Sequence, residues 1–90
     1  MTYKTKQKTV EAEPVGAILH FVETDFKSLP DWVKESYQEQ KLFFGFGSIK
    51  ISQINFLEEA RSGDVLVKHE SGKLEVLSEH KFFETYEAIP

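Results

Sequence analysis

The sequence predicts an α+β domain in which one main helix packs on a small, mostly antiparallel sheet. Apolar and polar residues alternate over 48–52 and again over 64–77, which is typical of strands with one buried face. Residues 28–40 instead have the spacing of an amphipathic helix. Because 90 residues are enough for one compact core, we expect residues 1–90 to form a single domain.

The N-terminal segment is predicted to be extended. Residues 3–12 contain several β-branched side chains, and every second residue from 4 to 8 is a lysine. Lysines along one face are typical of an edge strand that avoids further pairing. Pro14 lacks the amide for a ladder hydrogen bond and should interrupt this strand. Residues 16–22 fit either a strand buried on both faces or a short helix, and their small number favours the strand.

The main helix is predicted over residues 28–40. Ser28 can accept a hydrogen bond from the amide of Asp31, and Pro30 lies where a helix needs no amide donor. The apolar face of this helix is expected to pack on the sheet, with the indole as a core anchor, and its members are Trp32, Val33 and Tyr37.

Residues 41–47 are rich in phenylalanine and glycine. Their β propensity predicts a strand, and Gly45 and Gly47 indicate a bulge or turn before the strand at 48–52. Residues 56–60 have helical propensity, but a strand fits the order of the neighbouring strands better, and both interpretations remain open.

The last third of the chain predicts a hairpin followed by a short helix over residues 78–86. Ser71-Gly72 is suited to a two-residue turn because glycine adopts positive φ. This turn predicts four cross-strand pairs, namely Glu70 with Lys73, His69 with Leu74, Lys68 with Glu75 and Val67 with Val76. Ser78 should cap the helix, Leu77 and Phe82 have hydrophobic-staple spacing, and Phe82 and Tyr86 share one stripe.

Composition and charge exclude several function classes. The net charge is −4, and without the three lysines at positions 4, 6 and 8 the remaining eight basic and fifteen acidic residues give −7, so nucleic-acid binding is not expected. The chain contains no cysteine and no apolar run long enough for a transmembrane helix, and its N-terminus lacks the apolar core of a secretory signal. We therefore expect a cytoplasmic protein that does not associate with membranes.

The sequence contains no recognisable reaction centre. The three histidines, His20, His69 and His80, have no metal-ligand spacing, and the paired glutamates are as frequent as an acidic composition produces by chance. No phosphate-binding loop and no activated nucleophile is recognisable. We expect neither enzymatic activity nor a cofactor. The cationic and aromatic residues that could converge on a ligand are Lys41, Phe44, Phe46, Lys50 and Arg61.

Several short stretches of the chain resemble a group of small phage and prophage proteins of unassigned function. These stretches are Tyr-Lys-Thr-Lys at 3–6, Val-Glu-Ala at 10–12, Leu-Pro-Asp-Trp-Val at 29–33, Gly-Asp at 63–64 and Phe-Glu-Thr-Tyr-Glu at 83–87. The resemblance implies a phage or prophage origin and an α+β fold, and it implies no catalytic residues. Val65 departs from the group, which usually has Trp or Tyr after Gly-Asp, and residues 13–27 have no clear counterpart.

Three functions are compatible with these observations. The first is a non-enzymatic phage protein that binds a host protein, for host takeover or counter-defence. The second is a protein that sequesters a small nucleotide-type signal, and the third is a minor structural component of a virion. A homodimer is also expected because a small core leaves apolar surface uncovered, with the row bearing Phe44 and Phe46 as the predicted contact.

Overall fold

Two antiparallel sheets and three α-helices make up the described part of the chain. A computed structural model describes residues 2–4, 9–45 and 47–88. The first sheet has the strand order β7-β6-β2-β1-β8, and the second has the order β3-β4-β5. The elements are β1 Thr2–Lys4, β2 Thr9–Pro14, α1 Val15–Thr24, α2 Asp31–Gln38, β3 Leu42–Gly45, β4 Ser48–Ser52, β5 Leu57–Arg61, β6 Asp64–Lys68, β7 Leu74–Ser78, α3 Glu79–Thr85 and β8 Glu87–Ala88. The predicted α+β class with mostly antiparallel strands is confirmed.

The five-stranded sheet is covered on both faces, and each face has its own hydrophobic core. On one face, side chains from α1, α2 and the three-stranded sheet pack with two leucines of the larger sheet. The buried members of this core are Val15, Ile18, Leu29, Trp32, Val33, Leu42, Ile49, Ile51, Ala60, Leu66 and Leu74. On the other face α3 closes a smaller core formed by Val10, Ala12, Val65, Val67, Phe82 and Tyr86. Strand β6 contributes to both cores.

The N-terminal residues form a pair of strands, and the prediction of one edge strand over 3–12 is wrong. Tyr3 pairs with Val10 in the antiparallel ladder between β1 and β2. Strand β1 also pairs with β8, and β2 pairs with β6, so both lie inside the sheet. The predicted lysine face lies mostly outside the described residues, since only the backbone at position 4 falls within them. Pro14 ends β2, in agreement with its missing amide donor.

Residues 16–22 lie in helix α1, so the preference for a strand is wrong. Residues 15, 18, 19 and 22 are apolar with i, i+3, i+4, i+7 spacing, which is one face of a helix. Val15 and Ile18 on this face are fully buried, whereas His20 is exposed. A strand of the same residues would bury alternate positions, and that would place His20 beside Ile18 and Val22.

The start of the main helix differs from the prediction. A short 3₁₀ turn, Phe26–Ser28, precedes α2, and the Ser28 hydroxyl donates a hydrogen bond to Asp25 Oδ2 at 2.5 Å instead of capping the helix. The carbonyl of Pro30 accepts the first backbone hydrogen bonds of α2. The helix therefore begins about three residues later than predicted.

The buried face of α2 is partly as predicted. Trp32 is 8% exposed and Val33 is fully buried, which confirms their core positions. Tyr37 is 43% exposed, so its predicted core position is wrong. Its ring lies at the rim of the core and stacks on Phe44, with 5.0 Å between the ring centroids.

The predicted hairpin between β6 and β7 exists, but its register is one residue away from the prediction. Val67 pairs with Glu75, and Leu66 pairs with Val76. The His69 amide donates to the Lys73 carbonyl at 2.9 Å, which leaves a three-residue loop with Gly72 at φ +90°. Three-residue loops of this kind place a glycine in the left-handed region next to a bulge. All four predicted cross-strand pairs are therefore replaced.

Helix α3 and strand β5 complete the fold. The Ser78 hydroxyl accepts a hydrogen bond from the Lys81 amide at 3.2 Å, and the rings of Phe82 and Tyr86 stack at 5.2 Å, as the sequence predicted. Two interpretations were open for residues 56–60, and the strand is the one observed, since β5 spans Leu57–Arg61.

Trp32 is predicted to be a major source of stability. Trp32→Ala should lower the free energy of unfolding by about 3–5 kcal/mol because it leaves a cavity in the larger core. Trp32→Phe should cost only about 1–2 kcal/mol, because the indole Nε1 has no hydrogen-bond partner among the described residues. Urea unfolding measures both values. The exposed Phe83→Ala serves as the control, and equal losses for the two Trp32 variants would contradict the prediction.

Gly72 is predicted to be required for the observed loop. Gly72→Ala should lower the free energy of unfolding by about 1–2 kcal/mol, because alanine is strained at φ +90°. Gly45→Ala is the matched control, since its added Cβ meets Ser48 atoms at an ordinary 3.8 Å. Thermal unfolding of the two variants measures this difference, and an equal loss of stability for Gly72→Ala and Gly45→Ala would contradict the prediction.

Candidate binding surface

The candidate surface is the solvent-facing side of the three-stranded sheet. Phe43, Lys50 and Glu59 lie in one row across β3, β4 and β5, because they are direct partners in the two ladders. The adjacent row pairs Phe44, Ile49 and Ala60, and this row faces the larger core. Since neighbouring rows point to opposite sides of a sheet, Phe44 lies on the other face from Lys50.

Two cations share one carboxylate on this outer face. Lys50 Nζ contacts Glu59 Oε2, and Arg61 Nε donates to Glu59 Oε1 at 2.6 Å. The hydrogen bond from Lys50, and then that from Arg61, hold the pKa of Glu59 below its ordinary value of 4.5. The three side chains carry a net charge of +1, and both cations keep further N–H donors, because lysine has three and arginine has five.

The five predicted ligand residues do not all converge. Lys50 and Arg61 meet at Glu59, but Phe44 packs on the opposite face against Tyr37 and Phe26, at ring distances of 5.0 and 6.2 Å. Lys41 lies just before β3, where its Nζ is 3.1 Å from Glu39 Oε1. Phe46 lies outside the described residues. The role of Phe46 as a ligand residue or dimer contact stays a prediction. Phe44, the other residue of the predicted dimer contact, is half-buried.

The most exposed apolar side chains lie where β4 turns into β5. The Gln53 amide donates to the Phe56 carbonyl at 2.9 Å and closes this connection. Ile54, Phe56 and Leu57 are 98%, 62% and 61% exposed, and we call these three side chains the hairpin tip. Sequence analysis missed Ile54 and Phe56 as surface residues. The available signal was an apolar triplet between two predicted strands, where turns usually carry polar residues.

A small cavity opens on the opposite side of the molecule, between α3 and the five-stranded sheet. Its volume is about 250 Å³, and its apolar walls are Ala12, Pro14, Val65, Phe82 and Phe83. Among the residues that the structure describes, no lysine or arginine lines it. Ligand pockets usually enclose about 300–1,000 Å³, and a phosphate requires cationic or amide donors. This cavity is therefore poorly suited to a nucleotide.

The described residues contain no group of three histidine or carboxylate side chains placed to hold a metal ion. His69 Nε2 lies 2.9 Å from Glu75 Oε1, and His80 Nε2 lies 2.7 Å from Glu84 Oε1, so both histidines have local carboxylate partners. Over the same residues, no helix is long and apolar enough to cross a membrane.

Glu59 is predicted to titrate below pH 4.5. A folded-state pKa below the unfolded value gives stability that is present above pH 4.5 and is lost as the pH falls through the folded-state pKa. NMR titration of the Glu59 carboxyl should show the lowered midpoint. Lys50→Met should raise that midpoint more than Arg61→Met, because the Lys50 hydrogen bond contributes most. In the Glu59→Gln variant, the free energy of unfolding should fall less as the pH is lowered below 4.5. An unchanged dependence on pH would contradict the prediction.

No protein-family model, curated protein or solved structure matches this chain. The residues and the surface described above are therefore the basis for assigning a function.

Proposed function

We propose that this chain is a phage- or prophage-encoded, non-enzymatic protein that binds a host protein in the bacterial cytoplasm. The origin is supported by the phage-like stretches at 3–6, 10–12, 29–33, 63–64 and 83–87. The binding role is supported by the hairpin tip, and this single observation carries the proposal. Host takeover and counter-defence are the roles that such binding serves.

The hairpin tip is suited to binding because most of its apolar surface is exposed to solvent. Three large apolar side chains within four positions are each more than 60% exposed. Burying such a side chain contributes about 1.5–3 kcal/mol. Clustered apolar surface on a soluble domain commonly marks a protein interaction site, whereas single exposed apolar residues do not.

The partner is a protein surface rather than a small ligand. The tip lies at a turn with its side chains largely exposed, so it can enter a groove on a partner. A few central side chains supply most of the binding energy in many interfaces. Lys50 and Arg61, beside the tip on the same sheet, are both held by Glu59. That contact neutralises one of their two charges, which weakens their attraction for a nucleotide-type signal.

Site-specific photo-crosslinking tests this proposal. Benzoylphenylalanine is placed at Phe56, which is 62% exposed, and separately at Phe83, which is 59% exposed on α3. In bacterial cells, position 56 should give one discrete crosslinked host protein that position 83 does not give. Ile54→Ser should reduce this product and weaken binding of the purified partner about tenfold or more, as measured by calorimetry.

Two outcomes would overturn the proposal. Equal crosslinking from positions 56 and 83 would indicate non-specific contact. A discrete product from position 56 that is unaffected by Ile54→Ser would remove the hairpin tip as the source of affinity. The circular-dichroism spectrum and thermal unfolding of each variant serve as the folding control, because all the altered side chains are exposed and should leave the core intact.

A further inference from the structure

Strand β5 forms an open edge of the three-stranded sheet. In an antiparallel ladder, residue pairs alternate between those that exchange hydrogen bonds and those whose backbone groups point outward. Gln53 and Phe56 are a bonded pair at the start of the β4–β5 ladder. Counting along the register, the amides and carbonyls of Leu57, Glu59 and Arg61 therefore point away from β4.

Other hydrogen bonds support this assignment of which backbone groups on β5 point away from β4. The Arg61 amide donates outward to Asp64 Oδ2 at 3.0 Å, as the alternation requires. On the other side of β4, the Ser52 amide donates to the Lys41 carbonyl at 2.9 Å, which is the complementary phase. Among the described residues, no hydrogen bond involves the outward amides or carbonyls of Leu57 and Glu59.

Side-chain hydrogen bonds cover single backbone groups on the edges of β7 and β5. Strand β7 is an edge of the larger sheet, and the Leu74 carbonyl there accepts a hydrogen bond from Gln53 Nε2 at 3.2 Å. Asp64 protects the end of β5 at Arg61 in a similar way. Two consecutive outward positions, Leu57 and Glu59, remain open beside the apolar hairpin tip. Such an edge is a template for one more strand.

We propose that the β5 edge binds an extended segment of the partner protein as an additional antiparallel strand. Leu57 and Glu59 each exchange a pair of backbone hydrogen bonds with this segment, while the hairpin tip packs on apolar side chains beside it. This inference rests on the proposed function, because it specifies how the host protein is held.

Charge determines which segment fits the edge. The Glu58 carboxylate accepts a hydrogen bond from Gln53 Nε2 at 3.2 Å, and no cation pairs with it among the described residues. A lysine or arginine opposite Glu58 would supply this missing charge, and an apolar residue would cover the exposed Leu57. The occupant is therefore a segment in which basic and apolar residues are adjacent.

A second copy of the chain fits the edge less well. The self-paired registers centred on Glu58 and on Glu59 place like charges in direct opposition, which is destabilising. The register centred on Leu57 avoids this, but it sets Glu59 opposite Asn55 in the turn and leaves Leu57 as the only bonded position within β5. The register that pairs Glu59 with Arg61 requires the Arg61 amide, which already donates to Asp64. The charges on β5 thus favour a foreign strand over self-pairing.

Amide hydrogen exchange measured by NMR tests the inference on the intact chain. The probe is the peptide acetyl-Thr-Thr-Lys-Val-Ile-Thr-amide at millimolar concentration, which can place lysine opposite Glu58 and valine opposite Leu57. The Leu57 and Glu59 amides should exchange about tenfold more slowly with the peptide, while the Glu58 and Ala60 amides, already bonded to β4, should change little. The same peptide with N-methylvaline should give no protection, because it lacks the central donor.

Two variants at position 57 distinguish the contribution of the Leu57 amide from that of its side chain. Leu57→Pro removes only an outward amide, so the domain should keep its thermal unfolding while the peptide no longer protects the Glu59 amide. Leu57→Ala keeps the amide and should retain part of that protection. Absence of protection in the unaltered chain, or equal protection by the N-methylated peptide, would overturn the inference.

The remaining outcomes distinguish this inference from the proposed function. Protection of the Leu57 and Glu59 amides that grows with protein concentration, without peptide, would make a second copy the occupant and overturn the foreign strand. Peptide protection without a discrete host crosslink from position 56 would overturn the proposed function and leave the edge as a strand-binding site. A discrete crosslink without peptide protection would leave the proposed function standing and overturn strand addition.

Discussion

The structure depends on strand β6 being buried on both faces. Val65 and Val67 point into the core closed by α3, while Leu66 points into the core shared with α1, α2 and the three-stranded sheet. All three side chains are at most 3% exposed. A shift of β6 by one residue would exchange the two sets of side chains between cores of different shape, so both cores specify the same register.

This constraint explains why charge pairs did not predict the β6–β7 register. The sequence-based pairing joined Lys68 to Glu75 because opposite charges favour direct opposition, but exposed ion pairs contribute only about 0–1 kcal/mol. Burial of Leu66 and Val67 contributes several times more. In the structure Glu75 accepts a different partner, His69, at 2.9 Å. The turn glycine was identified correctly, but the loop length was wrong, and the register was wrong with it.

Local signals predicted α3 correctly, but they failed at the start of α2, where the Ser28 cap does not form. The Ser78 cap and the Phe82–Tyr86 stripe of α3 depend on adjacent residues, and both were predicted correctly. The α1 stripe was misread because the window began at Gly16 and excluded the buried Val15. Tyr37 lies on the predicted face of α2, yet it sits at the rim because Trp32 and Val33 already fill the core beneath the helix.

The candidate site could be predicted only in part, because strand alternation separates neighbours in sequence. Lys50 and Arg61 were chosen correctly as a spatial pair, but they share Glu59, whose role the sequence does not reveal. Phe44 was chosen in place of its neighbour Phe43, and the two point to opposite faces. Phe43 lies on the outer face because it pairs with Lys50 of β4. The sequence of β3 alone does not show which of its two faces is the outer one.

The exposed β5 edge and the hairpin tip are suited to binding a partner, but they also favour self-association. An open strand edge beside apolar side chains promotes self-association unless something opposes it. On β5 the opposing feature is charge, because Glu58 and Glu59 meet like charges in the self-paired registers that are centred on them. The acidic net charge of −4 adds a weaker, longer-range repulsion between copies. A foreign basic segment meets neither penalty, so the same residues that discourage self-pairing select the partner.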